Sequence, residues 1–175
     1  MKKFELTAES KINIFGKKLF RIKALISFGD VEEGETGGWI EKEENLEQSS
    51  GNAWVSGNAE VYGNAWVYGN AEVSGNAEVY GNVEVYGNAR VSGNAEVSGN
   101  ADYTTIHGFG TQFRTTTFFQ CEDKQIRVSC GCFLGTIPEF REQVKNTREG
   151  KIAEEYLMIA DLMEKHFVKE KESGE

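Results

Sequence analysis

Between Gly51 and Thr104 the apolar and polar positions recur with a period of six. The stretch is nine hexapeptides in series: GNAWVS, GNAEVY, GNAWVY, GNAEVS, GNAEVY, GNVEVY, GNARVS, GNAEVS and GNADYT. A helix would carry its apolar stripe at 3.6 residues per turn, so Val at one fixed place in every six excludes it. The pattern predicts a parallel β-helix. Ala and Val sit two apart in each unit and so share the interior side of an extended segment, while the fourth and sixth residues point outward. A corner every six residues needs positive φ, and the Gly-Asn pair is expected to supply it.

The unit V-x-G-N-A-x closely resembles the hexapeptide repeat of left-handed β-helices, in which three short strands make one triangular coil of eighteen residues. On that resemblance these units form three coils. Stacking them at eighteen predicts three outer faces. The first carries Ser56, Ser74 and Ser92 beside Trp54, Glu72 and Arg90. The second carries Tyr62, Tyr80 and Ser98 beside Glu60, Glu78 and Glu96, and the third Tyr68, Tyr86 and Thr104 beside Trp66, Glu84 and Asp102. Three Glu in register repel one another unless they are screened or paired. The Tyr and Trp faces hold more aromatic surface than a monomer normally leaves in water. Trp54, Tyr62, Trp66, Tyr68, Tyr80 and Tyr86 are therefore the candidate oligomer interface, or an aromatic cleft that receives a ligand.

The flanks follow other periods. Ile12, Ile14 and the run Leu19 to Phe28 read as strands joined by a turn at Gly16-Lys17. Gly34, Gly37 and Gly38 are expected in turns, with Trp39 and Ile40 closing the open end of the coil, so residues 1–50 form an N-terminal β cap. After the repeats at 51–104, Gly108 and Gly110 mark a turn. Strands from about Thr115 to Cys121 and from Gln125 to Cys130 make a hairpin. Thr136 and Glu139 are spaced as a capping box, with Pro138 in the first turn of a helix reaching about Asn146. A second helix is expected from about Lys151 to Val168, and the tail KEKESGE is expected to fray. Residues 105–175 thus read as a small α+β domain, and the whole as a mainly β fold.

Composition narrows the function. The chain has three cysteines, a count that fits a reducing compartment better than a disulfide framework. No apolar run is long enough for a signal peptide or a membrane span, so a soluble, cytoplasmic protein is expected. Residues 1–36 hold seven Lys or Arg against six acids, 37–104 hold two against ten, and 105–175 hold ten against twelve. An acidic wall on the repeats excludes binding of a nucleic acid duplex there, because phosphates need Lys and Arg to displace their counterions. That wall could instead imitate nucleic acid before a basic protein groove.

GDVEEGETGGWIEKEENL, the GNAxVxGNA repeats, RTTTFF and IRVSCGCFLGTIPEF together resemble a group of hexapeptide-repeat proteins of bacteriophages and prophages. The resemblance covers nearly the whole chain. It implies a left-handed β-helix, frequently trimeric, with a small α+β C-terminal domain, and it carries no activity with it.

The wider hexapeptide superfamily is rich in acyltransferases that hold acyl-CoA between coils and use a His as general base. The nine units contain no His. His107 lies just beyond them and His166 on the last helix, so His107 is the base if this alternative holds. Cys121, Cys130 and Cys132 are expected as buried free thiols, since one residue between the last two is too few for structural zinc. No metal or cofactor is expected. Arg114, Thr115, Thr116 and Thr117, with Arg127 on the partner strand and Thr136 at a helix start, offer donors suited to an anion such as the phosphate of a small nucleotide. The leading expectation is a non-catalytic, homo-oligomeric binding protein, a trimer by resemblance. It would capture a small anionic host ligand, a nucleotide immune signal in its sharpest form, or a host defence protein. An acyltransferase and a purely structural oligomer are the alternatives.

Overall fold

The computed structural model describes residues 1–168; the expected fraying of KEKESGE lies outside them. The fold is mainly β, and its centre is a three-turn β-solenoid. Its rungs are two-residue strands: β4 (Trp54–Val55), β5 (Glu60–Val61), β6 (Trp66–Val67), β7 (Glu72–Val73), β8 (Glu78–Val79), β9 (Glu84–Val85), β10 (Arg90–Val91) and β11 (Glu96–Val97). Each pairs in parallel with a strand eighteen residues away, as in Glu60↔Glu78↔Glu96 and Trp66↔Glu84. The result is three faces. Every Val from Val55 to Val97 at the fifth place is fully buried, and the residue two before it, Ala in all but Val83, is buried with it.

The corners work differently from the expectation that Gly and Asn share the left-handed conformation. Each corner Gly from Gly51 to Gly93 has a positive φ, 65° at Gly57 and 70° at Gly75, but no Asn does. Asn earns its place through its amide: Asn58 donates to Asn76 at 3.2 Å, Asn76 to Asn94 at 3.3 Å and Asn64 to Asn82 at 3.0 Å. Ladders of side-chain amides thus tie successive turns together outside the backbone ladder.

The N-terminal segment is built onto the top of the solenoid. Strands β1 (Phe4–Ile12), β2 (Lys18–Ala24) and β3 (Thr36–Ile40) extend one face into a sheet of order β1-β2-β3-β5-β8-β11. Ile40 pairs with Val61 and Leu46 bridges to Val67, so both stand where a further turn would place valines. Gly37 and Gly38 lie within β3, not in a turn. A Cβ on Gly37 would sit 2.7 Å from the Val55 carbonyl oxygen, and one on Gly38 2.8 Å from that of Ala59. They are small because strand and solenoid meet there without room for a side chain.

The carbonyls at the top corners receive side-chain donors from the cap. Lys3 reaches Ser50 and Gly51 at 3.3 Å and Ala53 at 3.4 Å, Arg21 reaches Gly57 at 2.8 Å, and Asn45 reaches Ala65 at 2.8 Å. Lys3 is 4 % exposed. Burial lowers its pKa, opposed by the nearby Glu47 carboxylate. A buried ammonium is tolerated here because three carbonyls surround it.

At the other end the ninth hexapeptide leaves the solenoid, so Asp102 does not sit on an outer face. Its carboxylate folds back to accept from the Ser98 N–H at 2.9 Å and the Gly99 N–H at 3.0 Å, and Tyr103 already begins a new strand. The C-terminal sheet has four antiparallel strands: β12 (Tyr103–Phe109), β13 (Arg114–Gln120), β14 (Ile126–Cys130) and β15 (Phe133–Thr136). The expected hairpin is its middle pair. One face of this sheet closes the solenoid through Tyr103, Phe119 and Cys121; the other packs Phe118 and Val128 against α1 (Ile137–Thr147) and α2 (Gly150–His166). The capping box at Thr136 and Glu139 forms, with Pro138 in the first turn.

Candidate functional site

The three outer faces of the solenoid differ in what covers them. On the β4–β7–β10 face, Trp54 is 5 % exposed, edge-on to Phe28 at 5.5 Å and to Phe4 at 6.5 Å. The cap therefore covers it. Lower on that face, Arg90 and Glu72 pair at 3.0 Å.

On the β5–β8–β11 face, Tyr62 and Tyr80 stack with centroids 5.1 Å apart, and Tyr62 packs with Leu19 and Trp39. Phe15, at the tip of the β1–β2 hairpin, lies 6.2 Å and 6.0 Å from the two tyrosines and is itself 58 % exposed. Ile12 and Ile14 beside it are also exposed. This face is thus remade as an apolar surface of Ile12, Ile14 and Phe15.

The register repulsion among Glu60, Glu78 and Glu96 is answered from both ends of the chain. Lys11 pairs with Glu60 at 2.7 Å and Lys124 with Glu96 at 2.6 Å. Among the described residues Glu78, between them, has only the Tyr62 hydroxyl, donating at 3.2 Å. Burial, then the Glu60 and Glu96 charges, raise its pKa. A carboxyl raised on folding contributes stability below its unfolded pKa and loses it as pH climbs through the raised value. Glu78→Gln is expected to stabilise the chain at pH 7.5 by less than about 1 kcal/mol, given its partial exposure. The gain should vanish near pH 4. Urea denaturation at the two pH values reads it, and an equal effect at both would show that charge is not the cause.

The β6–β9 face is the open one. Trp66 and Tyr68 stack at 4.1 Å and Tyr68 and Tyr86 at 5.3 Å. Tyr68 donates to the Glu84 carboxylate at 3.0 Å.

The residues expected to gather an anion are dispersed. Arg127 pairs with Phe119 on β13, five residues from Arg114, so the two guanidinium-bearing positions are about 17 Å apart along the strand. Thr115 meets Nδ1 of the exposed His107 at 3.3 Å. Thr116 is buried and donates to the Cys130 sulfur, and Thr117 is buried and accepts from the Arg90 N–H at 3.0 Å. Thr136 serves the helix cap. Sequence reasoning could not see that β13 lies against the solenoid, which converts its threonines into structural groups.

Only Arg127 and Thr136 of that set reach a common space. A cleft of about 730 Å³ opens where the last solenoid corner, Ser92–Asn94, faces the turn at 121–123 and the start of α1. The Gln125 N–H, and then Arg127 paired at 2.7 Å, hold the Asp123 carboxyl below its usual range. Glu122 and Glu139 also line the cleft, so three carboxylates face one guanidinium. Cys121 forms part of its wall, and burial pushes its thiol up to about 11, keeping it protonated. Cys130 is half-buried and Cys132 exposed, so the three thiols are not uniformly interior. Among the described residues no group of His, Cys, Asp and Glu is arranged to hold a metal ion, and no helix is long and apolar enough to cross a membrane. Compared with known proteins, the chain matches no family model, and no curated protein is similar enough to count as a relative.

Proposed function

We propose that this chain is a non-catalytic, homo-oligomeric binding protein that captures a small polar molecule in the cleft between solenoid and C-terminal domain. The observation that carries the reading is that cleft, with Arg127 and three carboxylates around one space of about 730 Å³. A ligand with both an acidic and an amino group matches this lining. The acidic end would take Arg127 from Asp123, and the amino end would meet the carboxylates released or left free. A bare phosphate matches it less well, since each carboxylate repels it. His107 stands on β12, two strands from β14, which favours binding over acyl transfer in the cleft. The resemblance to phage and prophage hexapeptide-repeat proteins supports a host cytoplasm as the setting. A small host molecule that carries an amino group beside its acidic one, a nucleotide immune signal only where it has both, would then be the target.

Assembly is proposed through the Ile12, Ile14 and Phe15 surface over the Tyr62–Tyr80 column, as a trimer by the same resemblance. Exposed apolar side chains grouped at one hairpin tip support it. Native mass spectrometry of protein taken directly from cell lysate tests both parts. A trimer with a retained small adduct is expected, with the adduct lost in Arg127→Ala and the subunit count lowered in Phe15→Glu. A bare monomer would refute both parts, and a CoA-sized adduct would restore the acyltransferase with His107 as base.

A further inference from the structure

The third outer face ends in a gap with a definite shape. Trp66 and Tyr68 stack side by side on one turn, and Tyr86 stacks on Tyr68 from the turn below. A ninth regular unit would add one more layer, but the chain turns away at Asp102 and enters β12. Among the described residues no ring stacks on the far face of Tyr86, which is 53 % exposed. Beneath it lies a slot of about 580 Å³ lined by Tyr68, Glu84, Tyr86, Asn100, Tyr103 and the threonines of β12.

The slot is held in shape. The Tyr103 hydroxyl donates to the Glu84 carbonyl at 2.6 Å, the Glu84 N–H donates to Asn100 Oδ1 at 3.1 Å, and Tyr68 holds one oxygen of the Glu84 carboxylate at 3.0 Å. The other carboxylate oxygen remains able to accept. Among the described residues no Lys or Arg lines the slot and its single charge is negative, so phosphates and carboxylates are repelled. What remains is a ring that stacks on an electron-rich aromatic face through slightly positive C–H groups and presents hydroxyl donors at its rim. A pyranose in its chair form has this chemistry. It is also thicker than a flat base, which suits a layer spacing of about 4.8 Å between coils.

We propose that the slot beneath Tyr86 binds a neutral sugar ring, which stacks on the uncovered face of Tyr86 where the solenoid stops and donates hydroxyl hydrogen bonds to Glu84. This site is separate from the Arg127 cleft and does not depend on it. The full chain is titrated with chitotriose and with maltotriose, followed by saturation-transfer NMR and intrinsic fluorescence, with adenosine and AMP as comparators. Saturable binding of at least one trisaccharide is expected. It should weaken about tenfold in Tyr86→Ala. Thr105→Trp, on the same side of β12 as Tyr103, should abolish it by filling the slot, while Arg127→Ala leaves it unchanged. Circular dichroism of each variant confirms that the solenoid is intact. Failure of both trisaccharides, retention of full affinity in Thr105→Trp, or binding of adenosine in place of sugar would each overturn the assignment.

Discussion

Replacing Phe119 with Ala is expected to cost about 3–5 kcal/mol of stability, the largest loss from any single truncation at the two ends of the solenoid. Phe118 and Phe119 are adjacent and both fully buried, yet they serve different cores. Successive residues of β13 point to opposite faces of its sheet. Phe118 therefore enters the helix-covered core with Phe140, while Phe119 enters the open end of the solenoid with Tyr103 and Cys121. Without that ring, water would reach the interior faces of the last valines. Urea denaturation followed at a β wavelength measures the loss, and Phe118→Ala provides the comparison from the other side of the strand. If β13 couples the two cores into one cooperative unit, both variants shift a single transition. A loss below about 1 kcal/mol in Phe119→Ala would mean that other groups close the solenoid.

This shared strand also marks where the sequence stopped being legible. The solenoid was readable because its constraint is local: a corner Gly, an inward Ala and an inward Val recur in every six residues, and no other period fits them. The capping box at Thr136 and Glu139 is equally local. The ends are not. Ile40 and Leu46 stand six apart, the same spacing as the solenoid valines, and that interval was the available sign that the cap continues the coil. It was obscured because the residues between them form a short 3-10 turn in place of a Gly-Asn corner. Trp54 and Tyr62 were legible as outward residues but not as covered ones, since the covering groups, Phe4, Phe28 and Phe15, come from strands whose placement no repeat specifies.

The candidate anion cluster shows the same limit more sharply. Arg114 to Thr117 and Arg127 lie on adjacent strands, as the hairpin pattern predicts. Register decides the rest. With Phe119 opposite Arg127, the two arginines are held at different ends of the pair, and the threonines between them are divided among a sulfur, a solenoid N–H and a histidine. The cleft, by contrast, arises where two separately legible parts meet, and neither part alone contains it.

The corners of the solenoid supply the second large effect. Gly75→Ala is expected to destabilise the chain by about 2–5 kcal/mol, of which only part is conformational. Gly75 has φ 70°, and forcing an L-residue there costs about 1–2 kcal/mol. A Cβ at this corner would also sit 2.9 Å from the backbone nitrogen of Gly93 in the next turn, closer than side chains approach backbone. Relieving that contact means prising apart two turns joined by the backbone ladder and by the Asn76–Asn94 amide bond, an overpacking cost of about 1–3 kcal/mol. Gly87 separates the two contributions, because its φ is 67° but nothing lies within 4 Å of a Cβ built there. Gly87→Ala should therefore show the conformational cost alone, and the difference between the variants in urea denaturation measures how firmly the turns are locked. Equal losses at the two sites would mean that the corners separate freely, and that the Asn ladders, rather than close Gly contacts, hold the spacing of the coil.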